Sequence, residues 1–94
     1  MDVFETENVR LLVEALTVAS CEEECRCLLE DLLTSKELLS IAQRLAVAQL
    51  LRRDIRYADI AEQTGASSAT IVRVNHCLRY GSGGYEIILK KLEN

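Results

Sequence analysis

The sequence predicts an all-α protein of six short helices, and three observations predict it. Pro and Trp are absent and Gly numbers only 4 among 94 residues, so the turn punctuation of a β-sandwich or barrel is missing. Apolar residues make up 49%, enough for a core and too many for a chain disordered by composition. Leu, Ala, Glu and Arg dominate, and all favour helix. A chain this short is one domain that buries only about 60–65% of the surface its unfolded form exposes, so it gains from pairing with a second chain.

Each helix has its own signal. Val9, Leu12, Val13, Leu16 and Ala19 repeat at three and four, which predicts an amphipathic helix over roughly 6–20. Glu22-Glu23-Glu24 interrupts that stripe, as a solvated face or as a helix start suited to the dipole. A short helix with Leu28, Leu29 and Leu32 follows. Thr34-Ser35-Lys36-Glu37 is a capping box in which each end residue satisfies a backbone N–H of the other. It opens a long helix, to about Arg53, with Leu38, Ile41, Ala42, Leu45, Ala48 and Leu51 apolar. Arg52 and Arg53 at its end complement the dipole, and the chain turns around Asp54-Ile55-Arg56. Tyr57 to Thr64 reads as a short helix closed by Gly65. Ser67 is the N-cap of the next helix, which runs from Ser68 to about Tyr80. Gly81-Ser82-Gly83-Gly84 ends it, and Tyr85 to Leu92 supplies the sixth.

Charge is unevenly divided. The whole chain is −4. Residues 1–43 carry three basic and ten acidic side chains, a net of −7, whereas residues 44–80 carry six Arg against three acids, a net of +3. An acidic half beside a basic patch points to a local anionic partner. The apolar stretches are too short for a membrane span, and the acidic start Met1-Asp2-Val3-Phe4-Glu5 is no secretory signal, so the expectation is a cytoplasmic protein. Cys21, Cys25, Cys27 and Cys77 do not follow a usual zinc spacing. Reduced thiols are the reading, with a metal or redox role and a disulfide as the alternatives.

The spacing that matters lies between Ala58 and Cys77. Ala61, Gly65 and Ile71 stand at offsets 0, +4 and +10, the pattern of a helix-turn-helix. Its first helix crosses the second closely, so the contact residue must be small. Its turn needs a residue tolerant of positive φ, and its second helix must plug the gap with a branched apolar side chain. Ile60 and Val74 are the further core positions. In such a motif the second helix enters the major groove by its N-terminal end. The outward positions are Ser67, Ser68, Ala69, Val72, Arg73 and His76. Ser67, Ser68 and Thr70 suit phosphate or base edges, Ala69 and Val72 suit a thymine methyl, and Arg73 suits phosphate or guanine.

These residues carry a resemblance. Leu32-Leu33-Thr34, Ala42-Gln43-Arg44-Leu45, Tyr57-Ala58-Asp59-Ile60-Ala61, Thr64-Gly65-Ala66-Ser67-Ser68-Ala69-Thr70-Ile71, Arg73-Val74-Asn75, Cys77-Leu78 and Tyr80-Gly81-Ser82-Gly83-Gly84-Tyr85 resemble the Trp-repressor superfamily, and within it the YerC/YecD-type branch. The likeness spans roughly Leu28 to Leu89. It implies a six-helix subunit in an intertwined homodimer: dimerisation helices over 1–53, the helix-turn-helix over 57–80 and a C-terminal helix over 84–94, all one domain. It implies a transcription regulator, expected to be a repressor, that binds operator DNA. By the resemblance, Thr34, Arg44 and Arg73 fall where the tryptophan-binding member holds its corepressor. Two arginines suit a carboxylate, so a small carboxylate effector is compatible. Val74, however, stands where that member has a Gly that lets the indole pass, and Cys77 replaces a small hydroxyl residue. The expectation is therefore a regulator independent of tryptophan and without a resident cofactor or metal. Ala58 and Ala61 replace basic residues that help that member's first reading-motif helix grip DNA, so affinity or target sequence should differ.

Two other classes compete. A helical adaptor would keep the fold and bind protein without sequence-specific DNA binding, which the acidic half and weakly charged reading face favour. An enzyme is not expected. The chain has one His, no metal spacing and no nucleophile with a nearby base, and Gly81–Gly84 follows a helix rather than a strand.

Overall fold

A computed structural model describes residues 2–93 and contains six α-helices and no strand among them. After a single 3-10 turn, Val3–Glu5, the helices are α1 (Glu7–Val18), α2 (Glu22–Leu32), α3 (Ser35–Arg52), α4 (Tyr57–Thr64), α5 (Ser68–Tyr80) and α6 (Gly84–Leu92). None is long and apolar enough to cross a membrane. The expected helix over 6–20 is shorter at both ends. The expected C-terminal helix over 84–94 stops at Leu92, and position 94 lies outside the described residues. Contacts gather the chain into two compact units that divide within α3, after Leu38.

The first unit is held by local contacts. The Asp2 carboxylate accepts from the Phe4 N–H at 3.0 Å and starts the 3-10 turn. The three consecutive acids resolve as a helix start. Glu24 folds back to accept from both the N–H and the hydroxyl of Ser20, at 2.9 and 3.0 Å, and the Ser20 N–H, first, then its hydroxyl hold the Glu24 carboxyl below its ordinary range. The capping box forms as the spacing predicts. Thr34 N–H donates to Glu37 at 3.0 Å, and Glu37 N–H donates to the Thr34 hydroxyl at 3.1 Å. Yet neither α1 nor α2 contains a buried residue. Leu11, Leu12, Val13 and Leu16 are all exposed, Leu11 to 64%. A stripe of this regularity with nothing over it is a helix face made for another surface.

The second unit has a closed core. Val47, Ala48, Ile60, Ala66, Ile71, Val74 and Leu89 form one buried cluster drawn from α3, the α4–α5 region and α6. Each large member contributes roughly 1.5–3 kcal/mol by leaving water. The buried face of α3 is Val47 and Ala48 with Leu51 partly covered, whereas Ile41 and Leu45 of the expected stripe stay exposed. α3 thus carries two apolar faces, one inside this unit and one outside it.

The end of α3 shows how the unit closes. Ile55 N–H reaches back to Leu50 C=O and Asp54 N–H to Leu51 C=O, both at 3.1 Å. This is a Schellman motif, and its left-handed position is taken by Asp54 at φ 59° rather than by glycine. Leu50 and Ile55 pack against the core beside it. Arg52 then anchors α6. Its guanidinium forks onto Glu86 at 2.9 and 3.0 Å and reaches Glu93 at 2.6 Å. The Arg52 hydrogen bonds hold the Glu86 carboxyl below its ordinary range.

Asp54→Gly tests this turn. Glycine adopts φ 59° without the steric cost that Asp meets there, so urea unfolding should show a gain of up to about 1 kcal/mol, with an unchanged m-value.

Candidate nucleic-acid interface

The helix-turn-helix is built by a turn that Gly65, Thr64 and Gln43 hold together. α4 ends at Thr64, and Gly65 follows at φ +72° and donates to Ala61 C=O at 2.8 Å. A Cβ at Gly65 would meet nothing within 4 Å, so the demand for glycine is conformational and not one of space. The Thr64 hydroxyl donates to Ile60 C=O at 2.7 Å and accepts from Ala66 N–H at 3.1 Å. The Thr64 carbonyl, left over at the end of α4, accepts from the Gln43 side chain of α3 at 3.1 Å. That bond ties the turn to the helix behind it.

The second helix starts under the predicted cap. Ser67 Oγ accepts from Thr70 N–H at 3.2 Å and donates to the Thr70 hydroxyl at 3.1 Å. Ile71 and Val74 enter the core at 1% and 2% exposure, Ile60 meets them at 0%, and Ala61 packs partly buried against the cluster. This is the plugged crossing that the offsets require.

The opposite face is open. Ser67, Ser68, Ala69, Val72, Arg73 and His76 are exposed, and Thr70 is half-buried. Between Ser68 and Tyr80 there is no acid, so nothing on this helix repels phosphate. Ser67 and Thr70 spend hydroxyl capacity on each other, which leaves Ser68 as the freest hydroxyl of the first turn. His76 packs its ring on Tyr80, centroids 5.2 Å apart. Arg79 donates to Asn75 at 3.2 Å. At the far end, a Cβ on Gly81 would collide with the Cys77 carbonyl, so the backbone itself requires glycine where α5 stops.

Arg44 and Arg73, two of the three residues assigned to an effector site, line one cavity of about 210 Å³ with Gln43, Thr70, Val74 and Tyr85. Val74 is part of its wall and also part of the core. The third, Thr34, lies in the first unit, where its hydroxyl and N–H are engaged in the capping box. The four cysteines are free and exposed. Among the described residues there is no cluster of metal-ligating side chains. Sequence reasoning missed Gln43, since an amide twenty-one residues from its acceptor leaves no local pattern.

Three kinds of comparison converge. The sequence model of the Trp repressor protein family matches residues 7–93. The uncharacterized protein YerC of Bacillus subtilis (strain 168) is 48% identical over 71 residues, which is 76% of this chain and 68% of that protein. The crystal structure of a TrpR-like protein from Eubacterium eligens ATCC 27750 superposes with a TM-score of 0.93 at 41% identity, over 99% of this chain and 96% of that one. A candidate Trp repressor from Staphylococcus aureus superposes with a TM-score of 0.90 at 34% identity, over 99% and 95%.

Gly65→Ala places a Cβ in the left-handed region, and urea unfolding should show a loss of about 1 kcal/mol. Gly84→Ala, at the start of α6 with open space around it, should be neutral or slightly stabilising in the same assay.

Proposed function

Because the chain belongs to the Trp repressor protein family, we propose that it is a sequence-specific DNA-binding transcription regulator, a repressor, that acts as a homodimer. The family is one of regulatory DNA-binding proteins and not of enzymes. The observation that carries the reading is the division of α5. Ile71 and Val74 lock one face into the core while Ser68, Ala69, Val72, Arg73 and His76 stand free on the other. A helix held this firmly, with an open and acid-free outer face, can enter a major groove without rearranging. The unpaired N–H groups of its first turn suit a phosphate.

A second copy of the chain is the occupant proposed for the uncovered stripes of α1 and α2. In this reading the outer apolar face of α3, Ile41 and Leu45, is a further surface for the second copy. Symmetric pairing would present two reading helices to two half-sites about one helical turn apart.

The protein works without tryptophan in this reading. Val74 occupies the wall of the Arg44/Arg73 cavity, and the remaining space is below the few hundred Å³ of a drug-sized site. A small carboxylate paired to the two guanidiniums fits it better. The helical-adaptor alternative shares the fold, and DNA binding separates the two.

Selection from a randomised duplex pool, with no added ligand, should enrich a palindrome. Arg73→Ala should weaken binding to the enriched site about tenfold or more. Wild-type affinity should fall on the order of a thousandfold between about 50 and 200 mM salt. Affinity insensitive to both salt and Arg73 would remove DNA reading and leave the adaptor.

A further inference from the structure

The Arg44/Arg73 cavity does not stand alone. Cys77 and Tyr85, two of its wall residues, also line a second hollow of about 560 Å³ between α3, the end of α5 and the start of α6. Leu45, Ile88 and the Gly81–Gly84 turn form the rest of that hollow. The two spaces therefore meet at one thiol and one phenol ring. The first holds two guanidiniums and the hydroxyls of Ser40 and Thr70. The second is walled by a leucine, an isoleucine, a ring and glycine backbone.

Each space lacks what the other supplies. Among the described residues no ion pair engages Arg44 or Arg73, whereas Arg52 and Arg56 both have carboxylate partners. Two guanidiniums on one cavity repel each other, and a carboxylate placed between them relieves that repulsion with charge-assisted hydrogen bonds. In the hollow, Leu45 is 39% exposed and Ile88 50%. A Cβ on Gly83 or Gly84 would meet nothing within 4 Å, so that wall is bare and not packed. The cavity of about 210 Å³ is too small for an apolar body, and the hollow has no charge to orient one. Joined, they have the anatomy of a ligand site, an apolar space with a few polar groups at one end.

Two further facts narrow the ligand. Val74 is 2% exposed and belongs to the core, so an apolar body cannot leave the guanidiniums through its position. The way past Cys77 and Tyr85 leads into the hollow. Among the described residues no acid lines either space, so nothing there offsets the ammonium of an amino acid beside two guanidiniums.

We propose that the joined spaces bind an amphipathic monocarboxylate without an amino group. Its carboxylate pairs with Arg44 and Arg73, and its apolar arm passes Tyr85 to lie against Leu45, Ile88 and the glycine turn. The inference rests on the carboxylate reading given above and adds the arm, its path and the exclusion of amino acids.

Cys77 reports on the junction, because it lines both spaces and its thiol is free and exposed. Alkylation of the full chain by N-ethylmaleimide is followed at each cysteine by mass spectrometry, with acetate, hexanoate, octanoate, octanol or 2-aminooctanoate present. Octanoate should slow the reaction of Cys77 and leave Cys21, Cys25 and Cys27 unchanged. Each buried methylene tightens binding by up to about fourfold, so hexanoate should bind roughly tenfold more weakly than octanoate. Arg44→Gln should weaken octanoate about tenfold, the worth of a hydrogen bond to a charged group. Ile88→Ser should weaken octanoate and leave acetate unchanged. Arg44 and Ile88 are exposed and outside the core, so both variants should fold, which circular dichroism checks.

Acetate that protects Cys77 as well as octanoate does would overturn the inference and leave a small carboxylate in the cavity. Equal protection by octanol, unaffected by Arg44→Gln, would overturn it by removing the anchor. Equal binding of 2-aminooctanoate would overturn the exclusion of amino acids. A Cys77 that reacts only when two copies are separated would overturn it by assigning the hollow to the second copy. Failure of every carboxylate to protect Cys77 would remove the carboxylate reading and this inference together, and would leave DNA reading untouched.

Discussion

The seating of Ile71 among Ile60, Val74 and the Val47–Ala48 face of α3 is the contact on which the second unit depends. It fixes α5 against α4, and through the shared cluster it fixes both against the long helix. Truncating such a side chain costs about 2–5 kcal/mol, a large fraction of what a domain this size has to lose. Because the plug is branched and fully enclosed, α5 has one seat. The direction of its outer face, and with it every exposed side chain on that face, follows from that seat.

The turn between α4 and α5 converts the plug into an angle. Gly65 supplies the left-handed step, Thr64 satisfies the backbone on both sides of it, and Gln43 of α3 closes the last carbonyl. Four hydrogen bonds share the turn, so its shape does not rest on any one of them. The far side of the unit is held differently. Arg52 draws α6 in with an ion-pair fork on two glutamates, at the surface and therefore sensitive to salt. The α4–α5 pair is thus tied by buried apolar contact and by the Gln43 amide, and the C-terminal helix by surface charge as well as by Leu89.

Signals confined to a few residues were legible in the sequence. The Thr34–Glu37 box, the Ser67 cap and the Gly65 turn each follow from residue types at fixed offsets, and the offsets from Ala61 to Ile71 carried the motif. Asp54 escaped because a left-handed C-terminal position without glycine has no signature. Val47 escaped because α3 has two apolar faces, and the expected stripe took Ile41 and Leu45 from the outer one with Ala48 and Leu51 from the buried one. The ties from Gln43 to Thr64 and from Arg52 to Glu86 and Glu93 span 21, 34 and 41 residues. They depend on tertiary placement that no local pattern encodes.

The first unit is acidic and the second basic. Under the proposed function the first finds the apolar stripe of a second copy and the second meets an anionic surface. Both turn on the number of chains in the working particle. Sedimentation equilibrium of the full chain, free and bound to duplex DNA, measures that number directly. A homodimer gives a particle of twice the 10.5 kDa chain mass when free, and two chains on each duplex when bound. A folded, stable single chain that binds DNA alone would contradict it.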